Sequence, residues 1–506
     1  MQRRQSARGE WIPTEGQWPV DPQQDVDVSE QRIWVDGCFD FAHHGHAGAM
    51  LQARQLGSEL YVGVHSDEAI MENKGPTVMR LDERVAAVEA CRWATKAVPR
   101  APYVTSLPWI THYGCQYVVH GDDITSDSDG KDCYRYVKAA GRFKVVKRTP
   151  GISTTDLVGR MLLCTKSHFI PSLEKRLSGD EGPGDDKERL KTGEDMLQRI
   201  KDYATDASGR APGCDVWYWH ASRPAKLRRT TTSNTVASPT SPTAPHHRPG
   251  TVRAASTASA LGPVKEEKGK FHQLVQGKAV KPGQRVVYVD GGWDLFSSGH
   301  IEFLRLVTQA EEEGARERGW YAEEAKKERI ETTGQDYGPV FLIAGIHDDE
   351  VINHWKGINY PIMNIFERGL CVLQCKYIHA AIFGAPFSLS KAFLHTLPYS
   401  STSDDHPNPT PTPLAAIYHG KTTFMPLAFD PYAVAKSLGL YVEIANHEFQ
   451  NVNAAEIVSR IMKGRALYEE RQRKKGEKGM GEEAERVRQE MEREQRRREV
   501  EGQFGL

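Results

Sequence analysis

The sequence predicts an α/β protein with two tandem parallel-sheet domains, and three observations predict it. Short apolar runs alternate with helix-like stretches from about residue 32 onward, the pattern of strands joined by crossover helices. A motif near the start of the chain recurs in altered form in its second half. Between the two copies, Ser, Thr, Pro and Gly dominate and apolar residues thin out, as in a linker.

The elements follow in order. Residues 1–30 are polar and rich in Pro, Gly and Gln, which predicts a loose tail. Ile33–Val35 reads as a buried strand and Gly48–Leu56 as a helix closed by Gly57. Leu60–Val64 is a second strand, Leu81–Ala94 a helix, Tyr117–His120 a strand and Leu157–Leu163 a helix. The first domain therefore spans 31–168. Residues 169–263 are expected to be a largely disordered linker, interrupted by a short helix near Asp186–Tyr203. Arg228-Arg229 before Thr230–Ser233, and the Ser-Pro steps at 238 and 241, read as ordinary solvated linker, with phosphorylation the alternative. The second domain spans 264–463. Residues 464–506 form a charged helical tail with a thin stripe of Ala484, Val487 and Met491. That stripe is too narrow for a membrane-binding face, so a solvated helix or weak coiled-coil partner is expected.

The repeat is read from spacing. VDGCFDFAHHGH (35–46) matches VDGGWDLFSSGH (289–300) at Val, Asp, Gly, Asp, Gly and His, offset by 254. DEAIMENKG (67–75) matches DEVINHWKG (349–357), offset by 282. Glu83-Arg84, Cys91 and Ala101-Pro102 recur at Glu367-Arg368, Cys375 and Ala385-Pro386, offset by 284. His120-Gly121 recurs at His419-Gly420, offset by 299. The offset grows where a charged run (EEEGARERGWYAEEAKKERIETTG, expected to be an exposed helix) and a Ser/Asp/Pro-rich loop around 399–413 intervene.

Composition narrows the function classes. Lys plus Arg number 66 against 67 Asp plus Glu, so a basic surface for nucleic acid or anionic membrane is not expected. The eight cysteines form no CxxC pair, which signals neither a zinc site nor a disulfide framework. There is no signal-peptide-like start and no run of about 20 apolar residues, so a cytoplasmic protein without a transmembrane segment is expected, with at most peripheral membrane association.

Four motifs carry chemistry. His43-His44-Gly45-His46 lies between a strand and a helix, where backbone N–H groups and the helix dipole favour an anion. Gly45 permits close backbone approach, and His43 and His46 can donate to phosphate oxygens. Zinc binding is the lesser reading, because no Cys, Asp or Glu follows at ligand spacing. Lys74 precedes Gly75-Pro76 on what reads as a mobile loop, where a lysine can reach a phosphate or simply be solvated. His120-Gly121-Asp122-Asp123 follows a strand, placing carboxylates for ribose or base contacts or for capping a turn. Arg148-Thr149-Pro150-Gly151-Ile152-Ser153-Thr154-Thr155-Asp156 leads into a helix. Capping explains one of its hydroxyls; an arginine, a glycine and three hydroxyls together point to phosphate.

In that order, VDGCFDFAHHGH, NKGP, HGDD and RTPGISTTDLVGRML resemble the cytidylyltransferase family, and the tandem arrangement resembles its ethanolamine-phosphate branch in particular. The resemblance is strong over 31–168 and weaker over 264–463. It implies two Rossmann-like nucleotidyltransferase domains and transfer of the cytidylyl group of CTP to phosphoethanolamine, in phosphatidylethanolamine biosynthesis. It implies His43, His46, Lys74 and Arg148 as catalytic residues. It implies Gly37, Cys38, Phe39, Asp40, Gly45, Gly121, Asp122, Thr149, Gly151, Ile152, Ser153 and Thr154 as nucleotide-binding. Mg²⁺ is expected to arrive with CTP, since no dedicated acidic cluster is visible.

The second copy departs from this pattern. The first histidine is replaced by Ser297, HGDD becomes HGKT, and RTPGISTTD becomes EFQNVNAAE (448–456). Ser297, His300, Lys356, His419, Gly420 and Lys421 would form a degenerate site, structural or regulatory, in a half that pairs with the first as an intramolecular pseudo-dimer. The alternatives are a cytidylyltransferase for phosphocholine or glycerol phosphate, or a non-catalytic nucleotide-sensing scaffold.

Overall fold

A computed structural model describes residues 26–123, 125–221, 269–357, 359–399, 414–421 and 429–474. The N-terminal tail to residue 25, the candidate phosphosites, residues 400–413, Thr422 and the stripe of Ala484, Val487 and Met491 lie outside them.

The first half is a five-stranded sheet in the order β3-β2-β1-β4-β5, with every pairing parallel. Its strands are β1 (Ser29–Gly37), β2 (Glu59–His65), β3 (Lys96–Ala101), β4 (Cys115–Gly121) and β5 (Phe143–Val146). Helices cover both faces, so Ile33, Val35, Leu60, Val62 and Val64 are buried without needing polar alternation. The expected elements are all present, each within a few residues of its expected bounds.

The second half repeats that order and extends it. β8 (Arg285–Gly291), β9 (Val340–Ile346), β10 (Ala380–Phe383), β11 (Leu414–Gly420) and β12 (Tyr441–Ile444) take the places of β1 to β5. Two more strands, β6 (Asp215–Ala221) and β7 (Gly269–Val275), lie beyond β10, β6 parallel to it and β7 antiparallel to β6. This corrects the expected linker. The helix Asp186–Tyr203 is there, but it buries Ile200 and Tyr203 in the core, and DVWYWHA (215–221) is a strand of the second sheet. The charged insertion is also more than one exposed helix. It extends the helix Ser298–Glu317 and adds a second, Glu323–Thr333.

The halves pack through equivalent surfaces. Arg92 N–H donates to Gln374 O (2.8 Å) and Lys376 N–H to Ala90 O (2.9 Å), an antiparallel backbone pairing centred on Cys91 and Cys375, whose thiols are free. Arg160 forms an ion pair with Glu367 (2.7 Å), and Arg460 forms the matching pair with Glu83 (2.7 Å). One hydrophobic cluster runs through both halves, from Val88 and Trp93 to Leu370 and Cys371. Among the described residues no helix is long and apolar enough to cross a membrane.

Candidate active site

The sheet order places β1 beside β4, with the chain crossing over in opposite directions from that pair. Such a switch point opens a crevice at the strands' C-terminal ends. Gly37 ends β1 there with Cys38 after it, and Gly121 ends β4 with Asp122 after it.

The HxGH segment is built around the start of the helix His44–Arg54. His43 is its N-cap, and its Nδ1 accepts the Gly45 N–H at 3.1 Å. That bond makes Nδ1 the acceptor, so in the neutral ring Nε2 carries the proton and can donate. The His46 ring stacks on His43, with centroids 3.9 Å apart. His44 points the other way: it is buried, and burial first, with Arg199, Arg160 and His46 adding to it, pulls its pKa down to about 3. It is therefore a neutral core residue.

Gly45 is required by packing. A Cβ there would lie 2.8 Å from Ile152 and 2.9 Å from the His43 ring. Thr149 Oγ1 donates to Gly45 O at 3.5 Å. The RTPGIST loop is thereby held against the HxGH helix, and two helix N-termini face one crevice. Ser153 is the N-cap of the helix Thr154–Leu163, its hydroxyl accepting from Asp156 N–H at 3.0 Å. Capping thus uses one hydroxyl of the motif. The Arg148 side chain is exposed, and its backbone N–H donates to Asp122 at 3.3 Å, which joins the β4 end to this loop.

Two expectations need correction. Lys74 is not on a mobile loop; it is the last residue of the helix Asp67–Lys74, and Gly75 ends that helix with a φ of 85°. Its ammonium lies 5.6 Å from the Tyr103 ring centre. Asp40, expected to contact nucleotide, is 1% exposed and turned inward. Its carboxylate accepts from Val78 N–H (3.0 Å) and Met79 N–H (2.8 Å), so it fixes the chain just beyond Lys74. The motif around it is strained, with positive φ at Phe39 (56°) and Phe41 (64°). Cys38 is held as a thiol, its pKa raised to about 11 by burial first and then by Asp40.

Arg84 is a site residue that motif reasoning passed over. It is buried, and its guanidinium reaches Met79 O (3.2 Å), Cys38 O (2.7 Å) and Asp67 (2.5 Å). It ties the β1 end to the lysine helix. The signal was available, because Glu83-Arg84 recurs as Glu367-Arg368, and Arg368 makes the same contacts to Met363 O, Gly292 O and Asp349.

The second copy keeps this framework but differs at the motif residues. Trp293 and Leu295 repeat the positive φ values, and Asp294 accepts from Ile362 and Met363 as Asp40 does from Val78 and Met79. His300 is half-buried and accepts the Ser297 N–H at 3.1 Å, so its ring caps its own helix. Burial first, then Lys356, lowers its pKa to about 3. Lys356 is itself desolvated, which disfavours its charged form. A cavity of ≈ 260 Å³ remains, lined by His300, His419, Gly420 and Lys421.

The comparisons with known proteins agree with this geometry. The cytidylyltransferase-like family model matches residues 34–160. The ethanolamine-phosphate cytidylyltransferase of Dictyostelium discoideum is 34% identical over 88% of this chain and 94% of its own length. The mouse enzyme of the same name is also 34% identical, covering 88% and 89%. The chain belongs to the ethanolamine-phosphate cytidylyltransferase family. A Saccharomyces cerevisiae member is 53% identical over 71% of this chain and 82% of its own. By contrast, the rat choline-phosphate cytidylyltransferase A aligns with only 26% of this chain, at 39% identity. The family's match thus extends through both halves, while the choline-phosphate likeness covers a much smaller share of the chain.

Proposed function

We propose that the first half transfers the cytidylyl group of CTP to phosphoethanolamine, giving CDP-ethanolamine and pyrophosphate. The observation that carries this reading is the convergence of two helix N-termini on one crevice, locked by Thr149 against Gly45. A triphosphate is the ligand that such paired positive ends favour. The choice of acceptor rests on the family match through both halves.

In this mechanism the acceptor phosphate attacks the α-phosphorus in line, and the protein positions and neutralises charge. His43, with Nε2 as donor, and His46 stabilise the crowded α-phosphate. Lys74 and Arg148 draw the phosphates together, the hydroxyls of Ser153 and Thr154 and their helix N-terminus take the β/γ-phosphates, and the Gly121–Asp122 end meets cytidine. Mg²⁺, brought with CTP, would supply charge neutralisation at the triphosphate beside Lys74, Arg148 and the two helix N-termini.

The test is pyrophosphate release by the pure protein with CTP or ATP against phosphoethanolamine, phosphocholine and glycerol phosphate. CTP with phosphoethanolamine should give the highest kcat/KM. A higher value with phosphocholine would overturn the acceptor, and one with ATP the donor.

A further inference from the structure

The residues that follow the second domain's last helix lie against the first domain's site. The helix Ala454–Lys463 leads into helical residues 465–474, and these cross the chain just beyond Lys74. Three consecutive carbonyls there accept hydrogen bonds from this segment. Arg471 donates to Pro76 O (2.7 Å), Tyr468 hydroxyl to Thr77 O (3.0 Å) and Arg460 to Val78 O (3.4 Å). Gln472 donates to Thr155 O (2.8 Å), at the start of the RTPGIST helix.

Arg471 is the member nearest the chemistry. Its stem packs beside Gly75, where a Cβ would meet it at 3.6 Å. Its guanidinium lies 3.5 Å from the Asp40 carboxylate, the group that holds Val78 and Met79 from the other side. Its side chain is only 14% exposed. Val78 and Met79 are thus held on their N–H groups by Asp40 of the first domain, and Pro76, Thr77 and Val78 on their carbonyls by Arg471, Tyr468 and Arg460. Residues 76–78 directly follow the glycine that ends the lysine helix, so their anchoring holds the last turn that carries Lys74.

We propose that Arg471, with Tyr468, is a positioning residue for cytidylyl transfer: the C-terminal segment clamps residues 76–78 so that Lys74 is held at the phosphates. This rests on the reading of Lys74 given above. It also assigns the second half a use in the reaction, carried by its C-terminus and independent of its own degenerate site.

The test is steady-state kinetics on the full chain with Arg471→Ala, Arg471→Lys, Tyr468→Phe and Lys74→Ala, and with Arg471→Ala combined with Lys74→Ala. Arg471→Ala should lower kcat by about tenfold with KM for CTP changed less than about twofold, the signature of a misplaced group. Arg471→Lys should recover most of that loss, and Tyr468→Phe should show a smaller loss in the same direction. The double variant should be no worse than Lys74→Ala alone, because both act on one interaction. Backbone amide exchange at 75–79 should quicken in Arg471→Ala. Wild-type kcat in Arg471→Ala and Tyr468→Phe, beside a collapse in Lys74→Ala, overturns the positioning role alone. Additive losses in the double variant also overturn it. Wild-type turnover in Lys74→Ala overturns the role of Lys74 and this inference together.

Discussion

At the scale of single residues, the three histidines of HHGH divide by environment. His46 stacks on His43 at the helix start, whereas His44 is sealed into the core. His46→Ala should therefore lower kcat/KM by about 10²-fold or more, the scale for losing one transition-state donor. Near-normal turnover in a folded variant would contradict that. The buried histidines also set a pH dependence. The folded pKa is about 3 for His44 and His300 and about 4 for His347 and His379, all lowered from 6.5 chiefly by burial. Between those values and 6.5 the unfolded chain binds protons that the folded one refuses, so their stability contribution is complete above 6.5 and is lost as pH falls. Asp290, raised to about 7, opposes them, as do Asp215 and Asp349, also raised chiefly by burial, while His65, His120, His419 and His447 are lowered by burial and act with the four. The thermal midpoint should fall between pH 7 and pH 5, and a rise would contradict this balance. The sequence made the motif and its anion-binding logic legible, because residue type and position after a strand carry them. It did not make legible that Asp40 faces inward, since that depends on Val78 and Met79, remote in sequence and brought near by the fold.

At the scale of elements, the helices bearing Arg160 and Glu83 join site and interface. Arg160 lies on the helix that begins at Thr154, and Glu367, its partner across the interface, is 5% exposed. Removing one partner of a buried pair leaves the other charge desolvated. Arg160→Ala should lower stability by about 3–5 kcal/mol in urea titrations, and a loss below about 1 kcal/mol would place the pair among weak surface bridges. Strand and helix alternation was legible because parallel strands such as VFLIAGI (340–346) are buried on both faces and read as unbroken apolar runs. β6 was not. Its DVWYWHA sits among polar residues, and only its pairings with the sequence-remote β10 and with β7 show it to be a strand.

At the scale of the whole molecule, the hydrophobic cluster shared by the halves means that neither closes its core alone. A fragment ending at residue 221 would take β6 without its sheet and expose the surface around Cys91. It should aggregate or melt well below the full chain in light scattering and thermal scans, and a soluble fragment of full stability would count against a shared core. His300→Ala, by contrast, should leave kcat within about threefold, below the ~1.4 kcal/mol of a tenfold change. A collapse of kcat without loss of thermal stability would show the second site to be catalytic. The matched contacts at Arg92 and Lys376, and at Arg160 and Arg460, have the form of a two-fold interface, in which each subunit offers the same patch. In a true homodimer one gene writes both subunits, so every substitution lands twice and neither site can be given up without the other. Joining the copies in one chain ends that doubling. Mutations can then accumulate on one side of the axis while the partner surface stays fixed, and a single chain can carry a site that works beside one that has become scaffold.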